Sequence, residues 1–349
     1  MKKQKLIACK YSKYLIYCTL SIIIQQSYAQ NFSINGGYHG FLDNREYFNK
    51  YDEHQTFLGN RLFFFVSAQT DKDHSLNLGT DYTYEFGSEK NAYKPKLIAN
   101  YEYNGSKINF IFGTFHRHNI IMYPNIMLSD SLNYYRPLIE GTRLKYKYNN
   151  GYQQLWLDWT GRQTDSTRES FLAGISGSYT INNFHFYNNI LMYHHAKTKN
   201  NVQNYTIRDN GGASLMVGYA INISGFINTV FPVAGEFFSY DRQRGVYDIR
   251  TYYSTMFGCN VAFRNHLEFN AHYITGDGQV MLYGEKIYRA KDYARFSFGY
   301  RPFYNKYPYT FFEFCLHLVD GEIDYSQMIN VFISFNKKIP ERNLSGFTE

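Results

Sequence analysis

Residues 75–87, SLNLGTDYTYEFG, alternate between apolar and polar side chains along their whole length. One parity carries Leu76, Leu78, Thr80, Tyr82, Tyr84 and Phe86, and the other carries Asn77, Gly79, Asp81, Thr83 and Glu85. Successive side chains of a β-strand point to opposite faces, so a period of two predicts a strand with unlike faces. This strand is long, with one apolar face and one polar face.

The same alternation recurs along the chain. It is found in residues 95–104 (PKLIANYEYN), 140–148 (EGTRLKYKY), 151–162 (GYQQLWLDWTGR), 265–273 (NHLEFNAHY) and 309–318 (YTFFEFCLHL). The chain also has 36 Tyr and 30 Phe but only 7 Pro. Strands favour aromatic residues and exclude proline from their interiors. Pattern and composition together predict an all-β protein.

Short polar turns alternate with longer irregular segments. The predicted turns are 71–73, 104–105, 149–150, 182–183, 222–225, 264–265 and 305–306. The predicted longer loops are 43–60, 87–94, 119–139, 163–168, 198–211, 241–246, 276–290 and 320–325. Asn and Gly supply the positive φ that hairpin turns require. These connections predict 16 strands, or 14 if residues 31–42 or 184–197 do not form full strands.

The length of the strands distinguishes a membrane barrel from a soluble sandwich. Strands of soluble proteins average about 5–6 residues, whereas a tilted strand needs about 9–11 residues to cross a bilayer. Inside a bilayer the backbone groups of a sheet edge find no partner, so the sheet must close on itself. The sequence therefore predicts a transmembrane antiparallel up-and-down β-barrel, with short turns at one end and longer loops at the other.

The N-terminus is typical of a secretory signal peptide. It has a lysine-rich start, an apolar run at 14–24 and the small-residue cleavage site Ser27-Tyr28-Ala29, which predicts a cleaved signal over residues 1–29. A lipoprotein signal at Cys18 is disfavoured because Tyr17 precedes it. Five lysines leave with the signal, so 31 basic side chains then face 29 acidic ones. This near balance argues against nucleic acid as a partner.

The pattern of residues 31–336 resembles bacterial outer-membrane porin-like β-barrels. The stretch 325–335, YSQMINVFISF, looks like the final strand of such proteins, which ends in an aromatic residue. The resemblance implies a barrel over 30–336, a short tail over 337–349 and location in the outer membrane. It also implies contact with lipid and lipopolysaccharide, small hydrophilic solutes as cargo, and compatibility with a homo-oligomer. The run YYRPLIEG (134–141) looks like uncharacterised envelope barrels.

Charged residues on the polar parity are expected to face a water-filled lumen. A lysine or arginine facing lipid near the bilayer centre would cost about 2–4 kcal/mol, which favours the inward assignment. The predicted lumen residues are Asp81, Glu85, Glu102, Arg117, Arg143, Lys145, Lys147, Asp158, Arg162, Glu268, His272, Arg295 and Glu313. Three of them, Arg143, Lys145 and Lys147, form a basic ladder on one strand. Inward charges of this kind set the selectivity of channels, or simply solvate the lumen and pair across it.

Loop 119–139 is the longest internal loop. In general porins of 16 strands the loop at this place folds inward, and the resemblance implies that Asp130 and Arg136 lie at a constriction facing the Arg143 ladder. The signature of those porins in this loop is absent here. Deleting residues 121–134 would change single-channel conductance if this hypothesis holds.

No motif for catalysis or for a cofactor is evident in the sequence. His116 and His118 share a parity, but no third metal ligand follows from spacing, so we predict no metal site. The adjacent His194 and His195 are typical of a barrel rim that contacts headgroups or water. No GxSxG motif occurs, and we predict no catalytic residues. Residues 241–244, DRQR, are a solvated loop or, alternatively, a site for lipopolysaccharide phosphate.

Three functions fit these patterns. The leading hypothesis is a passive channel for small hydrophilic solutes. The alternatives are a barrel enzyme that acts on lipid or peptide at the outer rim, and a structural or docking barrel with a blocked lumen. The sequence leaves open whether Cys259 and Cys315, the two cysteines of the mature chain, form a disulfide.

Overall fold

The computed structural model describes residues 31–88, 94–200, 203–303 and 308–339. Its strands are β1 (Asn31–Glu46), β2 (Gln55–Gln69), β3 (His74–Glu85), β4 (Lys96–Asn104), β5 (Ile108–His116), β6 (Leu138–Tyr148), β7 (Gly151–Gly161), β8 (Ser170–Ile181), β9 (Phe184–His195), β10 (Arg208–Tyr219), β11 (Ile227–Gln243), β12 (Tyr247–Phe263), β13 (Leu267–Gly276), β14 (Asp292–Tyr300), β15 (Tyr309–Val319) and β16 (Glu322–Ile339). The two-residue segment Ile221–Asn222 pairs with β11. The predicted all-β architecture is confirmed.

The sheet closes into a barrel. Every pairing is antiparallel between chain neighbours, except that β1 also pairs with β16, from Phe32↔Ile339 to Glu46↔Tyr325. This seam removes both sheet edges, as a membrane requires. Residues 31–42 and 184–197, which were uncertain in the sequence, lie in the strands β1 and β9 and in the residues just after β9. The count of 16 strands is therefore confirmed over the described residues.

The two ends of the barrel differ. The turn end, where β1 starts and β16 finishes, has the connections 70–73, 105–107, 149–150, 182–183, 220–226 and 264–266. The predicted turn 305–306, between β14 and β15, lies outside the described residues. The loop end has 47–54, 86–95, 117–137, 162–169, 196–207, 244–246, 277–291 and 320–321. Two predicted long loops are wrong, because 244–246 and 320–321 are tight turns. At the second, Asp320 and Gly321 both have positive φ (48° and 93°), as a two-residue hairpin turn requires.

The alternation in residues 75–87 divides the barrel wall as predicted. Leu78 is 63% exposed on the outer surface, whereas Asp81, on the opposite face of the same strand, is 1% exposed. The outer surface carries apolar side chains because lipid contacts it, and the polar side chains lie inside. The described residues contain two short helices, α1 (Leu132–Tyr135) and a 3-10 turn (Lys286–Arg289), and none is long and apolar enough to cross a membrane.

The predicted C-terminal boundary at residue 336 needs correction. β16 continues to Ile339, and Lys337 and Lys338 pair with Ile34 and Ser33 of β1. These residues belong to the wall because the 16-residue β1 needs a partner along its full length. The predicted signal peptide, 1–29, and the rest of the predicted tail, 340–349, lie outside the described residues.

Candidate functional site

Two loop-end connections fold into the lumen, and we call residues 117–137 and 277–291 the plug. Ile126 and Ile287 of the plug are 2% and 0% exposed. They belong to one buried apolar cluster with inner-wall residues such as Trp156 of β7 and Leu172 of β8, each 0% exposed. The other wall members of the cluster are Ile111, Phe115, Ile139, Leu191, Phe237, Met256, Ile274, Tyr293 and Val319. The plug therefore packs against the wall from β5 to β9 and from β11 to β15.

The two plug segments are bonded to each other. The Ser129 amide donates to the Tyr283 carbonyl at 2.7 Å, and the Glu285 amide donates to the Asn125 carbonyl at 2.9 Å. The Asn125 side-chain amide bridges two carboxylates, Asp130 at 3.0 Å and Glu285 at 3.3 Å. Burial raises the pKa of Glu285 to about 7, although Arg45 lies 3.7 Å away. The segments thus form one body inside the barrel.

A buried carboxylate anchors the plug at its start. Asp158, which is 0% exposed, pairs with Arg117 and accepts from Arg136 Nη2 at 3.2 Å. The inward fold of this loop agrees with the prediction, but its charges do not lie as expected. Arg136 pairs with Asp158 and is not among the residues that line the cavity of Arg143, Lys145 and Lys147. Asp130 instead lines a cavity of about 240 Å³ with Tyr309 and Phe311 of β15.

Six of the thirteen predicted lumen residues are in ion pairs among the described residues: Asp81, Arg117, Asp158, Glu268, Arg295 and Glu313. Asp81 accepts from Arg61 Nε at 2.7 Å, and His116 lies 3.2 Å from the same carboxylate. Glu313 pairs with Arg295 at 2.9 Å, and Glu268 pairs with Arg301 at 2.9 Å. His272 lines a cavity beside Arg295. These charges stabilise the wall by pairing with one another.

The remaining predicted lumen residues fall in different places. Arg143, Lys145, Lys147 and Glu102 line one cavity at the turn end. Glu85 has the same parity on β3 as the buried Asp81. Arg162 is exposed in the connection 162–169, beyond the end of β7. On the inner wall, Arg143, Lys145 and Lys147 therefore form one group of cations that are not in ion pairs among the described residues.

Inside the barrel lies a triad that the sequence did not indicate. His317 Nε2 is 2.9 Å from Ser326 Oγ, and His317 Nδ1 is 2.7 Å from the Tyr293 hydroxyl. Nucleophile, base and orienting group are thus in hydrogen-bond contact, as acyl transfer requires. However, His317 is 3% exposed, and the Tyr47 ring packs edge-on against it with the ring centres 5.4 Å apart. The triad is closed to a lipid substrate.

A second histidine site faces outward at the loop end, and we call it the rim row. Cross-strand register places five residues side by side on the outer surface of β7 to β11: Trp159, Phe171, His194, Asp209 and Arg242. His194 Nδ1 lies 2.7 Å from Asp209 Oδ1, and Asp209 Oδ2 accepts from Arg244 Nε at 2.8 Å. An aspartate in this position orients the imidazole and leaves Nε2 available.

Aromatic side chains flank the rim histidine. Trp159 and Phe171 stack at 5.7 Å, and the Phe171 ring lies 5.3 Å from that of His194. Aromatic girdles of this kind mark the membrane–water interface of barrels. In sequence, the pair His194-His195 and the stretch 241–244, which holds Arg242 and Arg244, gave the signals for this site. Among the described residues, no group of three or more His, Cys, Asp or Glu could hold a metal ion, and Cys259 and Cys315 are unpaired.

Comparison with solved structures supports the fold. OmpT, an outer membrane protein of Vibrio cholerae, in its trimer form, superposes with a TM-score of 0.56 at 9% identity, over 87% of this chain and 99% of that chain. An anion-selective porin from Comamonas acidovorans gives 0.51 at 10% identity, over 88% and 99%. Salmonella typhi OmpF in complex with daunomycin gives 0.50 at 12% identity, over 88% and 98%. Such low identities show a shared fold alone.

The family comparison is more specific. No curated protein matches the chain. The sequence model of the lipid A 3'-O-deacylase-type family matches residues 24–336, which is nearly the whole chain. Together with the closed barrel, this match places the protein in the bacterial outer membrane, where it is a lipid-embedded barrel. The chain belongs to the lipid A 3'-O-deacylase-type family.

Proposed function

We propose that this protein hydrolyses an acyl ester of an anionic outer-leaflet lipid of the lipid A class, with the rim row as its site. The observation that carries the proposal is the outward-facing His194–Asp209 pair at the loop end. This is the level of the barrel at which the headgroups and ester linkages of an outer-leaflet lipid lie. The family name points to the same substrate class.

The chemistry requires a base, an anion-binding group and a water molecule. His194 Nε2 takes a proton from water, and the water oxygen bonds to the ester carbonyl carbon. The ester C–O bond then breaks, and the imidazolium returns the proton to the leaving alkoxide, which yields a fatty acid and an alcohol. Asp209 stabilises the imidazolium through Nδ1. Arg242, beside Asp209, and Arg244, 49% exposed, are available to lipid phosphate.

Access favours the rim row over the buried triad. The triad has a serine nucleophile, but the side chains around it leave no room for a lipid. Within the part of the chain that the structure describes, no serine is hydrogen-bonded to His194, which is why water is the nucleophile in this proposal. Its aromatic neighbours Trp159 and Phe171 also supply an apolar surface for acyl chains.

The test is hydrolysis of purified lipid A by the folded protein, measured by mass spectrometry of the released fatty acid. His194→Gln is expected to lower the rate about 10²–10⁴-fold, the usual contribution of a general base. The matched control is His195→Gln, since His195 follows directly in sequence but faces inward, against the Tyr193 ring. Equal activity in the wild type and His194→Gln would contradict the proposal, as would the absence of hydrolysis by the wild type.

A passive channel for small hydrophilic solutes is the second candidate. The 16 strands and the polar cavities of the turn-end lumen favour it, whereas the apolar packing of the plug opposes it. Planar-bilayer conductance separates the two: a channel conducts with the wild-type plug, and the proposed hydrolase conducts only after residues 121–134 are deleted. If the protein shows neither hydrolysis nor conductance, a docking barrel is the remaining candidate. A co-purifying partner or a homo-oligomer is then the expected finding.

A further inference from the structure

We propose that the turn-end lumen holds a binding site for a small phosphorylated sugar that enters from the turn end. The site is a cavity of about 490 Å³ bounded by β1 to β6, which we call the basic cavity. It lies on the opposite side of the plug from the loop end. It is separate from the rim row, so this inference does not depend on the proposed hydrolysis.

The cations of the basic cavity outnumber its carboxylates. Over the residues that the structure describes, the basic cavity is lined by three cations, Arg143, Lys145 and Lys147, and by one acidic residue, Glu102. Among the described residues, no carboxylate oxygen lies within 4.0 Å of a nitrogen of these three cations. Elsewhere on the inner wall the arginines are paired: Arg61 with Asp81 at 2.6 Å is one example. Cations held together in a confined lumen without carboxylates favour an anionic ligand.

Neutral side chains position the cations of the basic cavity. Arg143 donates to Gln154 Oε1 at 2.9 Å and to Asn109 Oδ1 at 2.5 Å. Lys145 Nζ lies 3.8 Å from the centre of the Tyr152 ring, and Lys147 Nζ is 3.3 Å from Asn104 Oδ1. Glu102 accepts from Asn109 Nδ2 at 3.0 Å and not from a cation, so the contacts orient the side chains and leave the three cations in excess over one carboxylate. A phosphate bound among them would accept charge-assisted hydrogen bonds.

The polar side chains beside the cations indicate what the rest of the ligand is. A row of amides and hydroxyls crosses the wall beside the cations: Asn35 donates to Ser67 Oγ at 3.1 Å, and Asn77 donates to Asn100 Oδ1 at 2.8 Å. Ser67 also bonds Asn77, which joins the two pairs. Side-chain amides and hydroxyls offer both donors and acceptors, and sugar hydroxyls require both. The combination with three cations fits a phosphorylated sugar better than an apolar anion.

The test is calorimetric titration of the full-length folded protein in detergent at low salt, with glucose 6-phosphate as the probe. Glucose and inorganic phosphate serve as comparison ligands. We expect glucose 6-phosphate to bind more tightly than either, and Lys145→Gln and Lys147→Gln each to weaken it about tenfold through loss of a charged partner. Lys199→Gln, an exposed loop-end lysine, is the matched control and should bind like the wild type.

Three results would overturn the inference. They are no binding of glucose 6-phosphate, binding that the two lysine variants leave unchanged, and inorganic phosphate binding as tightly as the sugar phosphate. Heat-dependent gel mobility checks that each variant forms a barrel. His194→Gln should bind glucose 6-phosphate like the wild type, so a failure of the hydrolase proposal and a failure of this one are distinguishable.

Discussion

The loop-end half and the turn-end half of the lumen are lined by the same strands, yet they are filled differently. The strand β7 shows both. Trp156 and Asp158 contact the plug and are fully buried, whereas Tyr152, nearer the turn end, lines a cavity beside the plug. The polarity of the inner wall therefore follows what each part of it contacts. Inward positions that contact the plug are mostly apolar, whereas those of the basic cavity are mostly polar or charged, with Phe65 and Ile98 as apolar exceptions.

The two halves should therefore differ in what they contribute to stability. Packing of large apolar side chains dominates at the loop end, since burial removes them from water. At the turn end, hydrogen bonds between polar side chains exchange for bonds to water, so each contributes a small net amount. Three predictions test this difference, from the largest expected effect to the smallest.

Replacing the indole at the centre of the apolar cluster should have the largest effect. Trp156→Ala is expected to lower the free energy of unfolding by about 3–5 kcal/mol, because it removes a buried aromatic ring and leaves a cavity. It also removes the hydrogen bond from Nε1 to the Tyr123 hydroxyl, at 3.0 Å. Urea titration of the folded barrel in detergent measures the change. The adjacent Leu155, 53% exposed to the outside, is the control, and an equal loss in Leu155→Ala would contradict the comparison.

Removing the charge that anchors the plug should come next. Asp158→Asn leaves Arg117 and Arg136 without a charged partner, and breaking a buried ion pair costs about 3 kcal/mol or more. We expect the substitution to destabilise the plug and not the strands. Limited proteolysis within residues 117–137 should therefore accelerate while the strands stay protected. Asp165→Asn, at an exposed loop-end carboxylate, is the control. Unchanged cleavage in Asp158→Asn would show that the apolar contacts alone hold the plug.

The smallest effect concerns pH. The pKa of Glu285 rises from its ordinary 4.5 to about 7 in the plug, because burial disfavours the carboxylate. A raised pKa means that the plug binds this proton more tightly than the open state does. The packing of plug segment 277–291 is therefore most stable below about pH 4.5, and it loses stability as the pH rises from there through 7.

Hydrogen exchange measures this directly. Protection factors for amides of 277–291 should fall by up to about 70-fold between pH 5 and pH 8, because most of the interval between 4.5 and about 7 lies in this range. Glu285→Gln carries no titratable carboxyl, so its protection should not change with pH over this range. A wild-type protein with pH-independent protection would show that Arg45 and Asn125 fully compensate the carboxylate.

The sequence alone determined the architecture. The period-two alternation of residues 75–87, and of similar stretches, assigned each side chain to the lipid or the lumen face, because the pleat makes that choice local. Strand length then implied the bilayer, and closure followed from the need to pair every edge. The 16 strands and the inward face of Asp81, Arg143 and Glu313 could all be predicted in this way.

Only the tertiary structure decided what lies beside what. His194 and Asp209 are 15 residues apart, and they meet because the register of β9 against β10 aligns them. Alternation reveals the face of a residue but not its height in the wall, so it cannot identify a row built from five strands. The plug likewise depends on burial against a wall that exists only after closure. The folded chain brings Arg136 to Asp158, whereas among the described residues it leaves Arg143, Lys145 and Lys147 of the basic cavity without an ion pair.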